Sequence, residues 1–134
     1  DLESLAGLIL WAAYPSGLDD MSERDFPVLS IAGASDGVAT PEEIDAAKPY
    51  LPESTEYVML QGGNHAQFGS YGEQEGDLSP TLTLDEQQQL IAALSVHFIG
   101  RVSSDTVPSA PAFVDLPEAS TWCATAQRLL GGLD

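Results

Sequence analysis

Three short apolar segments, each followed by a polar turn, divide the first half of the chain. They cover residues 5–14, 26–32 and 56–60. The first two are almost continuously apolar, which is typical of strands that helices cover on both faces of a parallel sheet. Pro27 is compatible with a strand because it lies near the start of its segment. The pattern predicts three strands.

The sequence Thr40-Pro41-Glu42-Glu43 predicts the start of a first helix. An N-cap threonine accepts a hydrogen bond from the backbone three residues further on, and a glutamate at that position bonds back to the cap. Proline suits the first helical position because it has no amide hydrogen to leave unpaired. We expect this helix to run to about Tyr50 and to stop before Pro52.

Thr83 and Glu86 repeat this capping pattern ahead of the clearest helix in the chain. Apolar side chains then recur at the spacing of one helix face, and Gly100 is expected to end the helix. The face is formed by Leu90, Ile91, Leu94, His97 and Phe98. This position predicts that His97 is a core or edge histidine.

Strands that alternate with helices predict an α/β fold with right-handed crossovers and a parallel sheet. Three strands form only a partial sheet with apolar strands at both edges, so residues 1–101 are expected to belong to a larger sheet. Between the third strand and the second helix lies an irregular region, residues 66–80. Residues 102–134 are predicted to be an extended connector and a tail with a short helix over residues 120–130.

The chain is strongly acidic, with 21 acidic and 4 basic residues and a net charge of −17. This charge argues against binding to nucleic acids or to anionic membranes, because both need clustered cations. No apolar run is long enough to span a membrane, and a single cysteine excludes an internal disulfide. The chain begins at Asp1 without a methionine or a signal peptide, which predicts a processed or excised piece.

Asp36 and His65 each follow the end of a predicted strand. Parallel strands bring their carboxyl ends to one edge of the sheet, where open α/β sheets bind their ligands. Histidine transfers protons near neutral pH, and a carboxylate bonded to one imidazole nitrogen fixes its tautomer. The two residues are therefore a candidate acid–base pair. The alternative is that Asp36 only shapes an Asp-Gly turn and that His65 only caps the turn before it.

The sequence Gly33-Ala34-Ser35-Asp36-Gly37 matches the G-x-S-x-G pattern of a nucleophile elbow. In an elbow the helix begins directly behind the serine, whereas here the capping signal places the helix start at Thr40. The chain order of such a triad would also need an acid from a further strand between Ser35 and His65, and the sequence predicts none. We do not expect Ser35 to be a nucleophile.

No metal site is predicted, because the two histidines lack partners at ligand spacing. The carboxylates Glu73, Glu75 and Asp77 are expected to be solvated. An alternative is a calcium or small-ligand site built on residues 66–80, since calcium prefers oxygen ligands.

At the level of whole motifs, the chain resembles the C-terminal half of an α/β-hydrolase, closest to the dienelactone-hydrolase-like branch. The resemblance covers roughly residues 5–100. It is carried by GLILWAAYP, PVLSIAGASDGVATPEEI, VMLQGGNHAQFGSYGEQEGD and EQQQLI. In that family the three strands are the one after the nucleophile helix, the one presenting the triad acid and the one presenting the triad histidine. The resemblance implies that Asp36 is the acid and that His65 is the histidine.

The loop pattern after the histidine also resembles one in this branch. It implies that Gln67, Tyr71, Gln74 and Asp77 shape the wall beside the histidine, with Gln67 and Tyr71 as the residues that bind substrate. The family's nucleophile and oxyanion hole precede the part that this chain resembles. The resemblance thus implies a portion of a serine-type hydrolase of carboxylic esters or similar acyl bonds, without a cofactor and inactive by itself.

Two partners follow from this interpretation: a small-molecule ester, and the missing N-terminal half that would carry the nucleophile. The alternative is a non-catalytic α/β interaction module that self-associates, or pairs with another chain, through its exposed sheet edge.

Overall fold

The computed structural model describes residues 5–103 and the backbone of residues 113–114. Four parallel strands form one sheet, in which each strand lies beside the one that precedes it in the chain. The strands are β1 (Leu8–Trp11), β2 (Val28–Gly33), β3 (Glu56–Leu60) and β4 (Phe113–Val114). The prediction of a partial parallel sheet flanked by helices is confirmed. β4 adds two residues to the outer edge of β3, in a segment that was predicted to be a connector.

β1 forms the other edge of the described sheet and pairs only with β2. The prediction that both β1 and β2 are buried on two faces is correct for β2 alone, since β1 is only partly buried. β1 is also shorter than predicted, because Ala12 leaves the extended conformation with a φ of 45°. Trp11, the last residue of β1, is 49% exposed.

Two helices position the strands. They are α1 (Pro41–Ala46), which is followed by a 3₁₀ turn over Lys48–Tyr50, and α2 (Leu84–Val102). Both predicted capping boxes are present, with Thr40 and Thr83 accepting bonds from the backbone of Glu43 and Glu86. α1 is shorter than predicted because Pro49 disfavours the α conformation at the residue before it.

α2 covers one face of the sheet with its predicted apolar stripe. The main core contains Leu29 and Ile31 of β2, Val58 and Leu60 of β3, and Leu90, Ile91, Leu94 and Phe98 of α2. Each fully buried aliphatic side chain of this kind contributes about 1.5–3 kcal/mol. A smaller cluster around Phe26, Val28 and Leu51 lies on the opposite face. The core thus fixes β2 and β3, the two strands that lead to the candidate pair.

The prediction that Gly100 ends α2 is wrong, because the helix continues to Val102 and is capped at Ser103. Glycine weakens a helix without ending it, and nothing lies within 4 Å of a Cβ built at Gly100.

Gly100→Ala is therefore expected to raise the free energy of unfolding by about 0.5–1 kcal/mol in urea denaturation. Gly62→Ala is the control and should destabilise the fold, because Gly62 has a φ of +78°. A Gly100→Ala variant that is no more stable would contradict this account.

The tail and the domain boundary stay predictions. The helix expected over residues 120–130 lies outside the described residues, as does most of the connector. α2 ends at Val102, one residue beyond the predicted boundary of the first part at residue 101. Among the described residues, no helix combines the length and apolar character needed to cross a membrane.

Candidate active site

Asp36 lies in the turn that follows β2, and backbone amides of the same turn fix its side chain. Its side chain is fully buried. One carboxylate oxygen, Oδ1, accepts hydrogen bonds from the amides of Val38 at 2.8 Å and Ala39 at 2.7 Å. Aspartate commonly bonds to the backbone two residues further on in this way, which is the local turn chemistry expected of an Asp-Gly sequence. These bonds leave the second oxygen, Oδ2, for another partner.

That partner is His65. Its Nδ1 lies 2.9 Å from Oδ2 of Asp36, and its side chain is 25% exposed. β3 ends at Leu60, Gly62 turns the chain with a positive φ, and His65 opens a 3₁₀ turn over Ala66–Phe68. The structure therefore brings together, at one edge of the sheet, the two residues that the sequence identifies as candidates.

The hydrogen bonds define what this pair can do chemically. With Asp36 ionised, its carboxylate can only accept hydrogen bonds, and the contact is then a hydrogen bond that Nδ1–H of His65 donates to Oδ2. The lone pair is then on the other ring nitrogen, Nε2, which is free to take a proton from a substrate or a nucleophile. The buried carboxylate would stabilise the imidazolium that results.

The two loops that carry the pair are packed backbone against backbone. Beyond the sheet ladder, Ala34 N–H donates to the Leu60 carbonyl at 2.9 Å and Ser35 N–H donates to the Gly63 carbonyl at 2.8 Å. A Cβ at Gly33 would lie 2.5 Å from the Gly63 carbonyl oxygen, so glycine is required there. This close approach sets the separation of the turns that hold Asp36 and His65.

Gln87 of α2 anchors the residue before the histidine. It is fully buried, its Nε2 donates to the Asn64 carbonyl at 2.8 Å, and its Oε1 accepts from the Asn64 amide at 3.1 Å. The same Oε1 accepts a bond from the side-chain amide of Gln67 at 2.9 Å. The sequence analysis missed Gln87, although a polar residue on the apolar face of a helix was a usable signal.

Asp77 holds the loops together from the other side. Its Oδ1 accepts bonds from the amides of Gly37, His65 and Leu78, and its Oδ2 accepts from that of Ala66. Burial raises the pKa of the Asp77 carboxyl, but the four amide donors outweigh burial and the pKa lies below its usual value. The ionised Asp77 carboxylate therefore stabilises the folded state fully at neutral pH, and this contribution is lost as the pH falls through the lowered pKa of Asp77.

A model of the alpha/beta hydrolase family matches residues 1–89. The chain belongs to the alpha/beta hydrolase family. The matched residues include β1, β2, β3, the Asp36–His65 pair and Asp77. A search of curated proteins and a search of solved structures each found no match.

Gln67 and Tyr71, which were predicted to bind substrate, have different surroundings. Gln67 directs its side-chain amide inward, to the Leu82 carbonyl at 3.0 Å and to Gln87. Tyr71 is 75% exposed, and its ring lies over Gly69. A cavity of about 370 Å³ opens between the loop that carries Gln67 and the start of α2, and its lining includes Gln67, Ser70, Glu73 and Leu84 but not Tyr71. A role of Gln67 and Tyr71 in substrate binding stays a prediction.

Ser35 lies in the turn after β2, and α1 begins only at Pro41. A nucleophile elbow needs the helix directly behind the serine, and α1 does not begin there; that Ser35 is not a nucleophile stays a prediction. His97 is buried in α2 as predicted, and burial, followed by the nearby charge of Arg101, lowers its pKa.

The irregular region does not gather its carboxylates around a common point. Within the described residues, no group of three or more His, Cys, Asp or Glu side chains is arranged to hold a metal ion. The prediction that Asp77 is solvated is wrong, because both of its oxygens accept backbone amides. Glu73 and Glu75 are exposed, as expected for solvated carboxylates.

Proposed function

We propose that this chain is the C-terminal part of a serine-type α/β-hydrolase, in the dienelactone-hydrolase-like branch, that cleaves carboxylic esters or similar acyl bonds. In this proposal Asp36 is the triad acid and His65 is the triad base. The observation that supports it is the 2.9 Å contact between His65 Nδ1 and the buried Asp36 carboxylate, at the carboxyl ends of neighbouring strands. A pair in this arrangement is suited to move a proton to and from a nucleophile.

The proposed reaction uses His65 twice. Nε2 of His65 first takes the proton of a serine hydroxyl as the serine oxygen bonds to the carbonyl carbon of the ester. The same nitrogen then gives that proton to the alcohol oxygen as the ester C–O bond breaks. The alcohol departs, and the acyl group stays on the serine as an acyl-enzyme. A water molecule attacks the acyl-enzyme in the second half, and His65 again accepts a proton and returns it to the serine. Asp36 stays ionised throughout and orients the ring, and the scheme needs neither a metal nor a cofactor.

The nucleophile of this scheme comes from outside the described residues. In those residues, no strand ends in a serine that directly opens a helix, and the serine of the G-x-S-x-G sequence precedes α1 by a turn. A histidine and an acid without a nucleophile cannot form an acyl-enzyme. We therefore infer that the partner of this chain is an N-terminal part that carries the nucleophile and the oxyanion hole, and that the chain alone is inactive.

The substrate in this proposal is a small molecule. The cavity of about 370 Å³ beside the histidine loop has the size of a small-molecule site. Gln67 contributes to its wall, and Tyr71 lies in the chain between two of its lining residues, Ser70 and Gly72.

The test is to label the full-length protein encoded by the gene with a fluorophosphonate, which reacts with activated serines. We expect a label on a serine encoded upstream of Asp1, and we expect it to disappear in His65→Ala because the serine loses its base. Ser35→Ala is the matched control and should retain the label. A label that survives His65→Ala, or that moves to Ser35, would contradict the proposal.

A second candidate is supported by the open edge of the sheet. In the described part of the chain β1 pairs on one side only, and Trp11 at its end is 49% exposed. An interaction module would use this edge to dimerise or to bind a partner strand. Full-length protein that takes no label and sediments as a stable dimer would favour this candidate over the hydrolase.

A further inference from the structure

Asp77 connects two loops that are far apart in the sequence. It lies 12 residues after His65 and 40 residues after Gly37, and it accepts amide hydrogen bonds from both. The bond lengths are 3.2 Å to His65, 2.9 Å to Ala66 and 3.1 Å to Gly37. Gly37 directly follows the triad acid, and Ala66 directly follows the histidine. One carboxylate therefore binds the backbone next to Asp36 and the backbone next to His65.

The backbone beside Asp77 reinforces this arrangement. A Cβ at Gly37 would lie 2.1 Å from the Gly76 carbonyl oxygen, so the loop that carries Asp77 packs directly on the acid loop. Gly76 has a φ of +87°, a conformation that glycine adopts without strain. These two glycines let the carboxylate reach both loops. Hydrogen bonds to a charged acceptor are among the stronger ones in proteins.

We propose that Asp77 is a positioning residue, which assembles the Asp36–His65 pair within this chain before any nucleophile is present. It acts through the backbone and touches neither reacting group. Its importance for catalysis rests on the proposed hydrolase function, whereas its effect on the geometry of the pair does not.

The proposal is tested by nitrogen and proton NMR on the 134-residue chain. The unaltered chain should show His65 in the Nδ1-protonated tautomer, with that proton shifted far downfield by its bond to Asp36. In Asp77→Asn the downfield proton should be lost or broadened. Amide exchange at Gly37, His65 and Ala66 should accelerate about 10- to 100-fold, since each amide loses a charged acceptor. Glu75→Gln is the matched control, because it removes an exposed charge two residues away and should change none of these signals.

Amides in the centre of α2 separate positioning from a general loss of structure. They should keep their wild-type exchange rates in Asp77→Asn. Equal acceleration in α2 would overturn the proposal, because Asp77 would then support the whole fold and not the pair. Unchanged His65 signals in Asp77→Asn would overturn it as well, as would the absence of the Nδ1-protonated tautomer in the unaltered chain.

Kinetics of the full-length protein complete the test. If the hydrolase function holds, Asp77→Asn should lower kcat by about tenfold or more and leave KM nearly unchanged, because substrate contacts are not altered. A rise in KM with an unchanged kcat would overturn the positioning role. A full-length protein that fails to hydrolyse any ester overturns the proposed function alone, since the NMR result still decides the role of Asp77.

Discussion

Under the proposed function, Asp36→Asn is expected to lower the rate of serine acylation in the full-length protein by about ten-thousand-fold. Oδ1 of Asp36 accepts two backbone amides, so an asparagine in its place keeps its oxygen there and turns its NH₂ group toward His65. That NH₂ group donates to Nδ1, which must then be unprotonated. The ring proton moves to Nε2, the nitrogen that has to accept the serine proton, and the base is blocked.

The measurement is the rate of fluorophosphonate labelling or of ester hydrolysis at neutral pH. Asp45→Asn is the control, because Asp45 is exposed and, among the described residues, its carboxylate pairs with Lys48 alone on the outside of α1. This control should retain the wild-type rate within about twofold, as expected for a surface ion pair. A loss of less than tenfold in Asp36→Asn would show that the buried carboxylate does not set the tautomer of His65.

Gln87→Leu is expected to reduce the free energy of unfolding by about 3–5 kcal/mol. Gln87 is fully buried and pairs with both the N–H and the carbonyl of Asn64, which is itself 6% exposed. Leucine has a similar size but leaves both backbone groups without a partner in the interior. Each unsatisfied buried group costs about 1–3 kcal/mol, and the bond to Gln67 is lost in addition.

Urea denaturation measures this change, and the chain contains its own control. Gln89 lies two residues further along α2, is exposed, and within the described part of the chain its side chain bonds to Asp85 alone, one turn earlier. Gln89→Leu should change the stability by no more than about 0.5 kcal/mol. A cost of less than 1 kcal/mol for Gln87→Leu would contradict the prediction, because it would show that the bonds between Gln87 and Asn64 contribute little to stability.

The parts that sequence reasoning anticipated depend on local signals. Apolar runs defined the strands, and the two threonine capping boxes placed the helix starts, because a capping box involves residues only three apart. Parallel strands share one edge for their carboxyl ends, so the meeting of Asp36 and His65 followed from their positions alone. The catalytic role of the pair stays a proposal.

The parts that it missed depend on contacts between distant segments. Asp77 binds backbone amides, which every residue except proline carries, so the sequence gives no sign of its partners. Gly100 was predicted to end α2, yet the helix continues because Phe98 remains packed in the core and Ser103 caps the last turn. The partial exposure of β1 was also missed, since an apolar run does not tell whether a neighbouring strand lies on its outer side.

The backbone ladder from Ala34 and Ser35 to Leu60 and Gly63 has a consequence for protein engineering. The turns that carry Asp36 and His65 are joined by contacts that lie entirely within one uninterrupted stretch of polypeptide. If the proposed function holds, a cut ahead of β1 would yield one fragment with the nucleophile and another with the complete Asp36–His65 pair. Activity would return only when the fragments reassemble, which makes this division a suitable basis for a split-enzyme reporter of association between two fused proteins.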